Sequence, residues 1–169
     1  MTTLILTVAG ADRPGLVAAV ADVVDAHGGN WENSQLSELA GTFAGVIEVS
    51  VLPDQVEALQ AALRGLDGLL TVAVYTGAEE TPAVGESRVT LSVLGNDRAG
   101  IVRDISRVLN THALSIESMS TETRDAAMAG GRLFESTVTA TVPGSADLDA
   151  LRADLEQLAT EIQVDITLD

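Results

Sequence analysis

The stretch Gly10-Ala-Asp-Arg-Pro-Gly-Leu-Val17 recurs as Gly95-Asn-Asp-Arg-Ala-Gly-Ile-Val102, with Asp12 falling on Asp97 at an offset of 85 residues. The offset holds on both sides of the motif. Before it, Leu4, Leu6 and Val8 match Val89, Leu91 and Val93; after it, Leu16, Val17, Val20, Val23 and Val24 match Ile101, Val102, Ile105, Val108 and Leu109. His27 falls on His112. Farther on the offset widens to 90, pairing Gly41 with Gly131 and Pro53 with Pro143, so the second copy carries a longer loop around Asp125–Gly131. Spacing and apolar periodicity kept together over such a length mark a duplication.

Each copy predicts the same order of elements. Thr3–Val8 alternates polar and apolar, as a half-buried strand does. Pro14–Ala26 places Leu16, Val17, Val20, Val23 and Val24 on one helical face, with Pro14 suited to the first helical position and Gly28-Gly29 to the stop. Two extended segments follow, Trp31–Leu39 and Phe43–Leu52, joined by a turn at Ala40-Gly41-Thr42. Val56, Leu59, Leu63 and Leu66 then mark a second helix, and Leu69–Tyr75 a last strand. The second copy predicts strand Arg88–Leu94, helix Ala99–Thr111, strands Leu114–Thr123 and Arg132–Val142, helix Ala146–Thr160 and strand Ile162–Leu168. This β-α-β-β-α-β order is the split βαβ arrangement. The expected class is α+β: two ferredoxin-like βαββαβ domains in tandem, each a four-stranded antiparallel sheet with two helices on one face. The expected boundaries are 1–77, a Gly, Pro and Glu-rich linker over 78–86, and 87–169.

Composition narrows the function. The chain has 169 residues, 46% apolar and 20% charged, the balance of a folded globular protein. Twenty-five Asp and Glu oppose nine basic residues, all of them Arg, for a net charge of −16. Without Lys there is no Schiff-base or Walker lysine, and without Cys no thiol nucleophile, disulfide or zinc cage. The acidic surface and 2% aromatic content argue against direct binding of nucleic acid, and the central strands carry no aromatic pair for RNA. No signal peptide or membrane span is expected, and a cytoplasmic location is the default. Neither a Gly-x-Ser-x-Gly elbow nor a His-Glu-x-x-His motif occurs. His27 and His112, at predicted helix ends, suit the helix dipole better than a metal. No catalytic residue, metal or cofactor is expected.

The repeated turn is the candidate site. It joins a strand end to a helix start, where free N–H groups and the helix dipole favour a carboxylate. Gly15 and Gly100 permit close approach, and Asp12 and Asp97 suit an ammonium, so the turn is complementary to an α-amino acid. The same Asp residues equally suit capping of backbone N–H groups, and the glycines a tight turn. Arg13 and Arg98 suit a ligand carboxylate, an acidic neighbour or water. Asn30 and Asn33, with Ser115 and Ser118 as counterparts, are expected where the second strand begins beside the loop, as ligand or turn residues.

The tandem of Gly-x-Asp-Arg-x-Gly-[Leu/Ile]-Val turns within split-βαβ units resembles a pair of ACT domains, over nearly the whole chain. The stand-alone two-unit layout is similar to the glycine cleavage system transcriptional repressor group. The resemblance implies amino-acid sensing, with glycine or serine as first candidates, where the first loop of one unit meets a neighbouring unit. It implies Asp12, Arg13, Gly15, Leu16 and Asn30 as ligand-binding residues in the first unit, and Asp97, Arg98, Gly100, Ile101 and Ser115 in the second. Two positions depart between the copies: Pro14 becomes Ala99 and Asn30 becomes Ser115.

The expected function is therefore a non-enzymatic amino-acid sensor. It would act through a protein partner, a transcription factor or a metabolic enzyme, without nucleic acid or membrane, and as a homodimer. The alternatives are a small hydrolase of acylphosphatase type and a regulatory or structural subunit that binds no small ligand.

Overall fold

The computed structural model describes residues 1–78, 85–127 and 130–169. Most of the expected linker, residues 79–84, and the tip of the longer second-copy loop, residues 128 and 129, lie outside the described residues. The chain divides into two units, Met1–Thr81 and Pro82–Asp169.

The first unit runs β1 (Thr2–Ala11), α1 (Leu16–Ala26), β2 (Asn30–Leu39), β3 (Thr42–Val51), a 3₁₀ turn (Pro53–Gln55), α2 (Val56–Arg64) and β4 (Thr71–Thr76). The second runs β5 (Ser87–Asn96), α3 (Ile101–Thr111), β6 (Ser115–Asp125), β7 (Arg132–Val142), α4 (Leu148–Ile162) and β8 (Val164–Leu168). The sheets have orders β2-β3-β1-β4 and β6-β7-β5-β8, antiparallel at every pairing. This is the ferredoxin-like βαββαβ fold, twice.

Alternation along the central strands makes each core. In β1 the buried residues are Leu4, Leu6 and Val8; in β3 they are Ile47, Val49 and Val51. They pack with Leu16, Val20 and Val24 of α1 and Leu59 and Leu63 of α2 in one apolar cluster. The second unit repeats this with Leu91, Val93, Phe134, Val138, Ile105, Leu109, Leu151 and Leu155. Each fully buried Leu contributes roughly 1.5–3 kcal/mol of transfer free energy. Trp31 packs against the first core at its edge, as a structural residue.

Element ends differ from the sequence expectation where local turns consume residues. Pro14 does not open α1: Gly15 is the N-cap, in the left-handed region at φ +92°, and Pro14 belongs to the turn before it. Leu66 lies beyond α2 yet still packs on the core. Ile162 is the last residue of α4, not the first of β8, and Gln163 at φ +54° ends that helix. The start of α4 is fixed by Asp147, whose carboxylate accepts from the Asp149 and Ala150 N–H groups at 3.0 Å each.

Candidate functional site

The two repeated turns sit at the C-terminal ends of β1 and β5. In both, a β-hairpin tip holds the turn: Asp12 N–H donates to Gly41 O (2.9 Å), and Asp97 N–H to Arg132 O (2.8 Å). The first intrahelical bonds run from Ala19 N–H to Gly15 O and from Asp104 N–H to Gly100 O, each 2.9 Å. The amides of Leu16, Val17 and Ala18, and of Ile101, Val102 and Arg103, therefore precede any intrahelical acceptor. No side chain caps either helix. Asp12 and Asp97 thus lie in the turns without serving as caps.

Gly15 and Gly100 share one backbone conformation, φ +92° and +93°, which a side chain adopts only with strain. Their surroundings differ. A Cβ built on Gly15 meets nothing within 4 Å, whereas one on Gly100 lies 2.8 Å from Arg103 Nη2. Arg13 reaches away from the first turn, its Nη2 donating to Gly68 O at 3.0 Å in the loop between α2 and β4. Arg98 instead folds back: its Nη2 meets Asp104 Oδ2 at 2.9 Å, and Arg103 Nε meets Asp104 Oδ1 at 3.0 Å. The Arg103 hydrogen bond, reinforced by the charges of Arg103, Arg98 and Arg107, holds the Asp104 carboxyl below its ordinary range against the opposing effect of burial. Neither Arg103 nor Asp104 was singled out in the sequence. Their signal was present, because Ala18 and Ala19 occupy the matching positions of the first copy.

Asp12 and Gly15 share the first turn, while the Arg13 guanidinium leaves it for Gly68 O and the Leu16 side chain is buried in the core; Asp97, Arg98 and Gly100 share the second turn, and the Ile101 side chain is likewise buried. Asn30 and Ser115 do not join them. Asn30 pairs with Ser50, which pairs with Thr3 at the start of β1, whereas the turn follows Ala11. At ~3.3 Å per residue this puts Asn30 roughly 26 Å along the sheet from the turn. Ser115, paired with Thr141, occupies the same end of the second sheet, where Thr141 faces Arg88 at the start of β5. The expected placement of the second strand's start beside the loop is corrected by topology: the intervening helix returns the chain to the far end of the sheet.

At that far end a different pair of groups repeats. Glu32 and Glu117 sit at the register breaks of β2 and β6. Glu32 accepts from Ser50 Oγ (2.5 Å) and Asn30 Nδ2 (3.0 Å); Glu117 accepts from the Thr141 hydroxyl and pairs with Arg88 Nε (2.8 Å). The hydroxyls, Ser50 for Glu32 and Thr141 for Glu117, are the leading cause that holds both carboxyls below their ordinary range. Asn30 thus makes its side-chain hydrogen bond within its own unit.

The histidines cap helix ends. His27 Nδ1 donates to Val23 O at 2.8 Å, and His112 Nε2 meets Asp154 Oδ2 at 2.7 Å. Among the described residues no group of His, Cys, Asp and Glu is arranged to hold a metal ion, and no helix is long and apolar enough to cross a membrane. Two cavities are present among the described residues, the first of them beside the strand end that leads into the first turn, where Thr71 pairs with Ala9 and Leu70 lies against Gly10. One of about 290 Å³ is lined by Leu63, Arg64, Asp67, Leu70, Thr71 and Val72. Another of about 230 Å³ lies between α3 and α4, with Arg107, Asp154 and Glu161 at its wall. The first turn is exposed, with uncapped amides at the head of α1, whereas Gly100 of the second is half-buried beside Arg103.

Known proteins give this geometry its context. A glycine cleavage system transcriptional repressor of Escherichia coli (strain K12) is 26% identical over 162 residues, covering 94% of this chain and 85% of that protein. A crystal structure of an unknown protein from Galdieria sulphuraria superposes with a TM-score of 0.89 at 27% identity, covering 99% of this chain and 97% of that one. A second crystal structure, described as a putative glycine cleavage system transcriptional repressor, shares the fold with a TM-score of 0.69 at 20% identity, over 99% of this chain and 96% of the other. Residues 2–74 match the ACT domain, and residues 85–165 match it again. The chain belongs to the ACT-domain family, as a tandem of two such domains related to glycine cleavage system transcriptional repressors.

Proposed function

We propose that the protein is a non-enzymatic amino-acid sensor that regulates a protein partner, a transcription factor or a metabolic enzyme. The observation that carries this reading is the first turn: three uncapped amides at the head of α1, beside a left-handed Gly15 with open space where a Cβ would point. A carboxylate there gains hydrogen bonds and the favourable end of the helix dipole, and Asp12 in the same turn offers a partner to the ammonium. The net charge of −16 disfavours approach of a free anion, but a zwitterion is neutral overall. The ligand is thus a small α-amino acid, and the relative's name makes glycine the first probe, with serine next.

Asn30 and Ser115, at the far ends of their sheets, join such a site only as contributions from a second unit or chain. Binding between units would make the ligand a clamp on a homodimer, and its effect is its preference for one arrangement over another; tenfold is about 1.4 kcal/mol. With nine Arg against 25 acids, the protein meets its partner without touching nucleic acid or membrane, in the cytoplasm.

Calorimetric titration with the twenty protein amino acids, paired with thermal unfolding, tests the reading. A ligand at a hundred times its Kd adds about 2.7 kcal/mol to stability and raises Tm by several degrees. No heat and no shift with any amino acid would contradict it.

A further inference from the structure

We infer that Arg103 and Asp104, together with Arg98, close the second turn to ligand, so that each chain takes one amino acid, at the first turn. This rests on the amino-acid reading above and sharpens it to a single working loop. The two turns are alike in backbone, glycine and hairpin anchor, so the side chains around them decide. In the first, helix positions three and four past the N-cap glycine are Ala18 and Ala19, and nothing stands within 4 Å of the Gly15 Cβ direction. In the second, the same positions are Arg103 and Asp104. The guanidinium of Arg103 covers Gly100, whose residue is half-buried where Gly15 is exposed.

Charge points the same way. Asp104, its side chain only 17% exposed, already receives one guanidinium on each oxygen, from Arg98 and Arg103. A zwitterion entering there would have to move the Arg103 guanidinium off Gly100 and break its bond to Asp104. Neither cost exists at the first turn, where Arg13 is held on Gly68 O and the matching pair is alanine. The second turn thus carries its own charged occupant in the space that the first leaves open. Arg103 and Asp104 act here as selectivity residues, and the natural sequence of one copy supplies the substitutions that test the other.

The experiment exchanges these pairs in the full chain and counts bound ligand by calorimetry with glycine and with L-serine. Circular dichroism and Tm verify folding of each variant. The wild type is expected to bind one ligand per chain. R103A/D104A, which gives the second turn the alanines of the first, is expected to bind two. A18R/A19D, which carries the charged pair into the first turn at exposed and half-exposed positions, is expected to bind none while staying folded. Two ligands per wild-type chain would overturn the inference and leave the amino-acid reading standing. A single ligand in R103A/D104A, or binding retained in folded A18R/A19D, would also overturn it. Heat from none of the three proteins would overturn the amino-acid reading itself, and this inference with it.

Discussion

The first and second turns have the same left-handed glycine and the same bond from their Asp amide to a hairpin tip, yet one glycine faces open space and the other faces a guanidinium. Duplication copied the backbone; two side chains on the following helix then set the turns apart. The uncapped amides of a helix head are a property of the fold, whereas access to them is a property of positions 18 and 19 or 103 and 104. A shared motif therefore says less about binding than the residues one helical turn downstream of it.

The cores offer the largest expected effects. Leu59 and Leu151 are each 0% exposed, at matching places in α2 and α4. Leu→Ala at either should cost about 2–5 kcal/mol. If the units fold on separate cores, L59A lowers the urea midpoint of a probe at Trp31 in the first unit and L151A leaves that probe's transition in place. Equal movement of the Trp31 signal by both would show one cooperative core.

The turns come next. Gly15→Ala and Gly100→Ala should each cost about 1–2 kcal/mol, because both place a side chain at positive φ. The second is not much worse, since the atom in its way is the end of a flexible Arg. Denaturant midpoints check the equality, and a much larger loss for G100A would mean that Arg103 cannot move aside. Binding should separate them, with G15A losing affinity and G100A keeping it.

Smaller differences follow from features that only the second unit has. Asp147→Ala removes a cap that satisfies two amides and should cost about 1 kcal/mol; α2 has no side-chain cap to lose. Ser136, 2% exposed on the core face of β7, has an Oγ without a hydrogen-bond partner. Ser136→Ala should be neutral or stabilising by up to about 1 kcal/mol, and destabilisation in a melt would reveal a bonded hydroxyl.

The smallest expected effect is in acid. Glu32, Asp104 and Glu117 all have folded-state values held below their ordinary ones. Their contribution is complete above the ordinary carboxylate range near pH 4 and is lost as pH falls through the lowered values. Two of the three lie in the second unit, so urea midpoints measured from pH 5 downward should fall more steeply there. Glu117→Gln should flatten that slope, and an unchanged slope would contradict the assignment.

Much of this was legible in the sequence. Apolar spacing located the central strands and the helices, because each buries one face, whereas β2 and β6 are almost wholly exposed and were legible only from the hairpin turn and the repeat. Ends were harder: Pro14 favoured a helix start, but the turn needed it, and Ile162 was apolar enough for strand or helix. The site was half legible. Asp12 and Gly15 lie within one turn of sequence, so their neighbourhood requires no tertiary knowledge, whereas the reach of Arg13 to Gly68 does, and Asn30 was misplaced because a helix of one sheet length reverses direction before it. The closing pair Arg103–Asp104 was visible only when the two copies were aligned past the motif, at residues that look like an ordinary solvated helix face.

Amide chemical shifts report occupancy of each helix head residue by residue. In a ¹H–¹⁵N titration with glycine, Leu16, Val17 and Ala18 should move saturably while Ile101, Val102 and Arg103 stay in place. Shifts confined to the second turn, or absent from both helix heads while ligand binds elsewhere, would contradict binding at the first turn.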